Sequence, residues 1–136
     1  MLYNESKIRV RYGETDRMGY LHHGTYALYF ETGRTELLRN LGLTYKQMED
    51  DGVLLPLSNL NIHYLLPAYY DDELIVKTSL KKMPSVRLEF DYEIVNQIGE
   101  IICKASTILV FVSAETRKPI RMPEYFYQII KPYFES

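Results

Sequence analysis

Four residues in the first quarter of the chain have the types and spacing that acyl-transfer chemistry needs. Asp16 lies in a loop, His22 and His23 follow it closely, and Glu31 comes eight residues after His23. A helical apolar pattern begins just after the histidines, so Asp16 is expected beside the unpaired N–H groups of a helix N-terminus, which stabilise a carboxylate. The same N–H groups can stabilise the oxyanion that forms when a thioester carbonyl is attacked. A nucleophile or base beside such donors is the minimum apparatus for acyl transfer.

Each of these residues also has a purely structural explanation. An aspartate before a helix commonly caps the helix or a turn. One of the two histidines could be a proton shuttle, because histidine titrates near neutral pH. Glu31 lies on roughly the same helical side as His23 and could orient a histidine or a water, or it could be a solvated helix glutamate. The spacing alone leaves these alternatives open.

Metal and cysteine chemistry have little support in the sequence. Apart from His22 and His23 the chain has only His63, and no cysteine cluster could complete a zinc shell. The single cysteine, Cys103, lies in an apolar run without an activating neighbour, which is typical of a small buried thiol. We therefore expect no metal site and no redox cofactor.

Length and charge limit the other classes of function. The 136 residues fit a single domain over 1–136, and the formal net charge of −2 gives no general reason to expect a nucleic-acid partner. The N-terminus, Met1–Glu5, lacks the basic start and apolar core of a signal peptide. No apolar run approaches the roughly 20 residues that span a bilayer. We therefore expect a cytoplasmic protein without an integral membrane segment.

The apolar pattern predicts one long helix and five strands. Between Thr25 and Leu41, apolar residues and Gly33 recur at three- and four-residue steps and form one helical stripe. Gly33 lowers helix propensity, so we expect it to allow a close approach of the helix to a sheet. The strands are expected over 7–12, 57–66, 74–80, 86–94 and 101–112, and short helices over 44–50 and within 123–134.

This order of elements predicts the fold class. A strand, a long helix and four strands joined mostly by short turns indicate an α+β domain with one antiparallel sheet and a single helix on one face. One helix cannot cover both faces, and the run Ile101–Val112 is apolar on both for much of its length. A symmetric homodimer, or a dimer of dimers, is the economical way to cover the second face.

A Thr-Asp-x-x-Gly element, Thr15–Gly19, precedes a helix whose first turn is aromatic. With it go the segments 10–26, 29–31, 34–36, 61–64, 67–72 and 111–112. Together these segments resemble the hotdog acyl-CoA thioesterases, in particular the 4-hydroxybenzoyl-CoA thioesterase family and its Tol–Pal-associated branch. The resemblance covers nearly the whole chain and implies the hotdog fold, a five-stranded antiparallel sheet wrapped around one long helix.

The resemblance assigns the roles that spacing left open. Asp16 matches the family's catalytic aspartate, either a nucleophile that forms a mixed anhydride or a general base for water. His23 matches the histidine at the helix start, whose backbone N–H faces the thioester carbonyl, and Glu31 matches a helix glutamate common in the Tol–Pal-associated branch. The implied reaction is hydrolysis of acyl-CoA to a carboxylate and free coenzyme A. The alternatives are a hotdog dehydratase on hydroxyacyl thioesters and a non-catalytic acyl-thioester binding module.

The carrier and the acyl group are less well defined. In the family, coenzyme A lies along the subunit interface, and the hairpin carrying Ser85 and Arg87 corresponds to part of its path. Arg117 and Lys118 are further candidates for its phosphates. Residues 84–86 interrupt the basic residues that some members carry here, which leaves acyl carrier protein open as the carrier. An acyl pocket could be lined by the helix aromatics and by Leu54, Leu55, Leu57 and Tyr64.

Overall fold

A five-stranded antiparallel sheet and one long helix organise the chain in a computed structural model that describes residues 1–135. In chain order the elements are β1 (Leu2–Arg9), α1 (Tyr26–Arg39), α2 (Tyr45–Asp50), β2 (Val53–Leu54), β3 (Leu57–Tyr64), β4 (Glu73–Leu80), β5 (Arg87–Val95), β6 (Ile101–Val110), β7 (Val112–Ser113) and α3 (Glu124–Ile130). The strand order is β1-β4-β5-β6-β3, and β2 pairs with β7 separately. The predicted α+β class with a five-stranded antiparallel sheet is confirmed.

The apolar stripe of α1 packs against the inner face of β1 and β4. Tyr26, Tyr29, Phe30 and Leu37 are buried on this face, as the sequence pattern predicts.

Gly33 is the point of closest approach between α1 and the sheet. A Cβ atom placed there would lie 2.3 Å from Thr78 Oγ1 and 3.0 Å from Val76 Cγ1. The expectation that Gly33 permits a close approach is therefore confirmed.

The outer face of the sheet is charged. The register aligns Glu5, Lys77, Glu93 and Lys104 in one row across four strands, with alternating sign. Opposite charges on neighbouring strands stabilise such a surface in water. The run 101–112, predicted to be apolar on both faces for much of its length, contributes the exposed Lys104 to this charged face. The charged row therefore does not itself call for an apolar cover.

The first strand begins earlier than the sequence pattern predicts. β1 pairs with β4 from Leu2 to Arg9, whereas the alternation predicts a strand over 7–12. Its early inward positions include Asn4 and Ser6, whose side chains bond to each other at 3.0 Å. Polar residues at inward positions conceal the start of the strand from any test of alternating hydrophobicity.

β3 is an edge strand with no neighbour beyond it among residues 1–135. Its apolar side chains stay accessible, with Leu57 46%, Leu60 41% and Tyr64 49% exposed. Exposed apolar edge strands invite pairing with another chain. Within residues 1–135, no helix is both long enough and apolar enough to cross a membrane.

Candidate active site

Glu14 anchors the loop that joins β1 to α1. Its Oε1 accepts hydrogen bonds from the Arg11 N–H at 2.8 Å and from the Tyr29 hydroxyl at 2.8 Å, and its Oε2 accepts one from the Arg11 guanidinium at 3.1 Å. The backbone carbonyl of Glu14 accepts the His22 N–H at 2.8 Å. Glu14 therefore fixes both the start of the loop and its end to the buried face of α1.

The environment of Glu14 favours its ionised form. Partial burial raises the pKa of this carboxyl, but the hydrogen bonds from Arg11 and Tyr29 outweigh burial and lower the pKa below its usual value. Burial, and then the bond to Glu14, raise the pKa of the Tyr29 phenol. Both shifts keep a phenol donor against a carboxylate acceptor at neutral pH.

Asp16 closes a tight turn in this loop. Its Oδ1 accepts hydrogen bonds from the Met18 N–H at 2.9 Å and the Tyr20 N–H at 3.2 Å, and its own N–H donates to the Tyr20 carbonyl at 2.8 Å. Gly19, at φ +79°, supplies the left-handed residue that completes the turn. Within residues 1–135 no group donates to the second oxygen, Oδ2. The aspartate therefore caps a turn with one oxygen and leaves the other available.

A 3₁₀ turn over His23–Thr25 leads directly into α1. His22 is its N-cap, and the His22 imidazole Nδ1 accepts the Gly24 N–H at 3.0 Å. The His22 carbonyl accepts the Thr25 N–H at 2.9 Å, and the Tyr64 hydroxyl donates to the His23 carbonyl at 2.9 Å. Of the two capping roles that were open for Asp16, it therefore caps a turn, and His22 takes the position at the helix start.

The His23 N–H is the amide of this turn that lacks an acceptor in residues 1–135. Its neighbours on both sides, the His22 N–H and the Gly24 N–H, are hydrogen-bonded. An unpaired donor in a fixed turn at a helix start can bind an oxygen that gains negative charge.

Asp16 and His23 line the same cleft, which has a volume of about 340 Å³. The other lining residues are Met18, Tyr20, Leu21, Tyr26, Tyr64, Leu65, Leu66 and Pro67. Tyr26 is almost fully buried and meets the Tyr64 ring edge to face at 5.0 Å. The cleft is therefore mainly apolar and aromatic, with the Asp16 carboxylate and His23 among its few strongly polar residues. Of the residues that the sequence suggested for an acyl pocket, Tyr64 and Tyr26 line this cleft, whereas Leu54, Leu55 and Leu57 do not.

Glu31 lies outside this cleft. It occupies the exposed side of α1, one turn beyond the cleft residue Tyr26. The structure thus brings Asp16 and His23 together and leaves Glu31 apart from them in the same chain.

The four candidate phosphate ligands lie at the opposite end of the sheet from Asp16. Ser85 and Arg87 are exposed at the start of β5, which pairs there with the end of β6, and Arg117 and Lys118 are in the exposed turn after β7. Asp16 follows the other end of the sheet, where β1 and β3 finish. The nine residues of β5 span about 30 Å at roughly 3.3 Å per residue. One chain alone therefore does not bring these residues to the cleft.

Cys103 is fully buried, and burial raises the pKa of its thiol to about 12. It therefore carries no thiolate at neutral pH, in agreement with the sequence interpretation. Among residues 1–135, no three His, Cys, Asp or Glu side chains are grouped as a metal ion would need.

Two hydrogen bonds that build the site join residues far apart in the sequence. Tyr29 bonds to Glu14 across 15 positions, and Tyr64 bonds to His23 across 41. The aromatic content of the helix start was visible in the sequence, but the partners of these hydroxyls follow only from the tertiary fold.

Comparisons with known proteins agree with this architecture. Residues 10–130 match the family described as the thioesterase-like superfamily. The chain is 37% identical over 123 residues to the "Putative acyl-CoA thioesterase YneP" of Bacillus subtilis, covering 90% of this chain and 89% of YneP. It is 29% identical over 117 residues to the acyl-CoA thioester hydrolase YbgC of Escherichia coli O157:H7, covering 86% of this chain and 87% of YbgC.

A solved structure shows the same fold. The DHNA-CoA thioesterase of Staphylococcus aureus superposes with a TM-score of 0.90 at 38% identity, covering 98% of this chain and 89% of that one. Fold, cleft and family match therefore agree with the resemblance seen in the sequence. The chain belongs to the thioesterase-like superfamily and has the hotdog fold of its acyl-CoA thioesterases.

Proposed function

We propose that this protein hydrolyses acyl-CoA thioesters to a carboxylate and free coenzyme A. The observation that carries the proposal is that Asp16 and His23 line one cleft, while Asp16 Oδ2 and the His23 N–H have no hydrogen-bond partner within residues 1–135. The similarity to YneP, YbgC and the S. aureus enzyme supports the same reaction.

The proposed reaction places the thioester carbonyl in the cleft with its oxygen toward the His23 N–H. That amide stabilises the oxyanion as the carbonyl carbon is attacked. Asp16 Oδ2 either attacks the carbon, giving a mixed anhydride that water then hydrolyses, or removes a proton from the attacking water. Coenzyme A leaves as a thiolate, which takes a proton from water in the first route and the proton held by Asp16 in the second. The proposed chemistry calls for no metal or redox cofactor.

A homodimer is part of the proposal, because one chain does not bring the phosphate candidates near Asp16. Two β3 edges paired antiparallel would place the β5 start of one chain beside the Asp16 end of the other. Ser85, Arg87, Arg117 or Lys118 of the second chain could then reach a coenzyme A whose thioester lies in the first. The exposed apolar residues of β3 support this interface. A dimer of dimers and a catalytic role for Glu31 stay predictions from the sequence.

Coenzyme A is the proposed carrier, with acyl carrier protein as the alternative. The names of YneP, YbgC and the S. aureus enzyme all specify CoA thioesters. The cytoplasmic location stays a prediction from the sequence.

Release of free thiol from a panel of acyl-CoAs, aliphatic and aromatic, tests the proposal. We expect turnover of at least one substrate by the parent and loss of turnover in Asp16→Asn. Tight binding without thiol release would indicate a binding module, and loss of water from a hydroxyacyl-CoA would indicate a dehydratase. Either result would contradict the proposed hydrolysis.

A further inference from the structure

The peptide between His23 and Gly24 is held at both of its polar groups. Its N–H donates to His22 Nδ1 at 3.0 Å, and its carbonyl accepts from the Tyr64 hydroxyl at 2.9 Å. The preceding peptide, which carries the unpaired His23 N–H, is held through its own carbonyl by the Thr25 N–H at 2.9 Å. The direction of the unpaired amide is therefore set by the hydrogen bonds of its neighbours.

The His22 ring lies close over this turn. A Cβ atom at position 24 would lie 3.2 Å from both Nδ1 and Cε1 of His22, which is tighter than an ordinary contact. Gly24 thus allows the imidazole to approach its N–H. The ring also stacks on His23, with centroids 4.2 Å apart.

The bond from Gly24 requires a particular form of His22. A ring nitrogen accepts a hydrogen bond only when it carries no proton, so Nδ1 must be bare and the imidazole neutral, with its proton on Nε2. A protonated ring has no acceptor and would present an N–H to the Gly24 N–H. The turn can therefore keep this geometry only while His22 is neutral.

We propose that His22 is a positioning residue for the oxyanion donor, and that its protonation releases the turn and lowers the catalytic rate. His22 acts through Gly24 and not on the substrate. This inference rests on the proposed function and adds a pH-sensitive element to that same site.

Other titratable groups surround the turn, and they respond differently to acid. Hydrogen bonds hold the pKa of Glu14 below its usual range, and burial raises the pKa of Tyr64, so both keep their neutral-pH forms under mild acid. Two further titratable side chains lie beside the turn, because His23 stacks on His22 and Asp16 lines the same cleft as His23. Variants must therefore separate His22 from His23 and Asp16.

Two substitutions make that separation. His22→Phe keeps an aromatic ring against His23 and removes the acceptor. His22→Asn removes the ring and the titration but keeps an acceptor, because an asparagine side chain readily bonds the N–H two residues on. We expect kcat at neutral pH to fall about tenfold in His22→Phe, with KM within about twofold, as for a loss confined to the transition state. His22→Asn should retain at least about a third of the parent kcat, which is within roughly 0.7 kcal/mol.

The pH profile supplies a readout that a purely structural role would not change. The parent kcat should fall in mildly acidic solution, where protonation of His22 removes the acceptor and releases the turn. The profile of His22→Asn should be flatter there. The proposal is wrong if His22→Phe keeps kcat within about twofold, or if His22→Asn loses as much as His22→Phe. An unchanged profile in His22→Asn would also overturn it.

Amide exchange keeps this test separate from that of the proposed function. In protein with ¹⁵N-labelled glycine, protection of the Gly24 amide should decrease on acidification in the parent and be lost at all pH values in His22→Phe. If no acyl-CoA is hydrolysed, the proposed function fails. Exchange of the Gly24 amide still tests whether His22 holds the turn. If the Gly24 amide exchanges at the same rate in the parent and in His22→Phe, His22 does not hold the turn through the Gly24 N–H.

Discussion

The Tyr64 hydroxyl donates a hydrogen bond of 2.9 Å to the carbonyl oxygen of His23. This bond joins the edge strand β3 to the first turn before α1, so the strand proposed to form the subunit interface also holds the proposed oxyanion donor. Burial raises the pKa of Tyr64, so the hydroxyl keeps its proton over the working pH range. In the proposed dimer, this one side chain would couple assembly to catalysis.

Removing that hydroxyl should slow turnover without unfolding the protein. We expect Tyr64→Phe to keep the edge-to-face contact with Tyr26 and to lose the bond to His23, lowering kcat about three- to tenfold, as for the roughly 0.5–1.5 kcal/mol of one net hydrogen bond. Steady-state kinetics and a thermal melt check this. Tyr12→Phe is the matched control, because Tyr12 is 78% exposed and its hydroxyl makes no hydrogen bond among residues 1–135. Equal kcat in both variants would contradict the coupling.

The Glu14–Tyr29 bond should appear as a pH-dependent contribution to stability. The pKa of Glu14 is depressed in the folded state, so its contribution is present above the unfolded pKa, about 4.3, and is lost as pH falls through the folded value. We expect Tyr29→Phe to lower the free energy of unfolding by about 1–2 kcal/mol at pH 7. The difference from the parent should narrow between about pH 5 and pH 3.

Urea denaturation at several pH values measures this difference. Tyr70→Phe, an exposed phenol, should match the parent throughout. A Tyr29→Phe deficit that stays constant down to pH 3 would show that Glu14 is not the partner responsible.

Much of the fold could be predicted from the sequence, because the spacing of apolar residues distinguishes helices from strands. The apolar stripe of α1 and the alternation of β5 each depend on neighbouring residues alone, and Gly33 is conspicuous inside such a stripe. The start of β1 was harder to predict, because the polar residues Asn4 and Ser6 take inward positions. The charged outer face could not be predicted from local spacing, because it depends on the register of four strands.

The candidate site was predictable only in part. Asp16 and His23 lie near each other in the sequence within a recognisable motif, so their meeting in one cleft agrees with the prediction. The bond between Tyr64 and His23 joins residues 41 positions apart, and no local pattern predicts it. The separation of Arg87 from Asp16 by the length of the sheet is likewise a property of topology.

Gly33 should tolerate alanine poorly. A methyl group there meets Thr78 Oγ1 and Val76 Cγ1 inside contact distance, and overpacking of this kind costs about 1–3 kcal/mol even though alanine favours a helix. We expect a net loss of about 1–3 kcal/mol in the free energy of unfolding of Gly33→Ala. Adding Thr78→Ala to Gly33→Ala should restore part of the lost stability, because it removes the atom that meets the new methyl group. Removing Thr78 Oγ1 breaks no hydrogen bond in the described chain.

A double-mutant cycle by urea denaturation gives the coupling energy. Thr32→Ala, on the exposed side of α1, is the control and should change stability little. Additive effects of Gly33→Ala and Thr78→Ala would contradict the proposed clash.

The edge of β3 should control assembly. We expect the parent to sediment as a dimer or a dimer of dimers at micromolar concentration, and Leu60→Lys to shift it toward folded monomer, because a charge buried in the interface is unfavourable. Leu28→Lys introduces the same charge at an exposed apolar position on α1 and should leave the assembly unchanged. If the parent protein is a folded monomer, both the proposed interface and the proposed shared site are wrong.

The phosphate candidates should act on binding and not on the chemical step. Alanine at Arg87, Arg117 and Lys118 should raise KM for acyl-CoA and weaken its dependence on salt, since exposed charges are screened by ions. The kcat should change little, because these contacts are the same in the ground and transition states. Unchanged KM at low salt in the triple variant would exclude this phosphate path.

A mixed dimer then shows which subunit supplies the phosphate ligands. Asp16→Asn subunits and subunits carrying the triple alanine substitution are given different tags, and the hetero-oligomer is isolated through both. If the ligands act across the interface, one site combines an intact Asp16 from the triple variant with intact basic residues from the Asp16→Asn chain. That site should have the parent KM and, per dimer, about half the parent kcat. If the ligands act within one chain, each site has one defect, and the mixed dimer keeps the raised KM of the triple variant.

Placing all four substitutions in one subunit and none in the other is the control, and it reverses the two expectations.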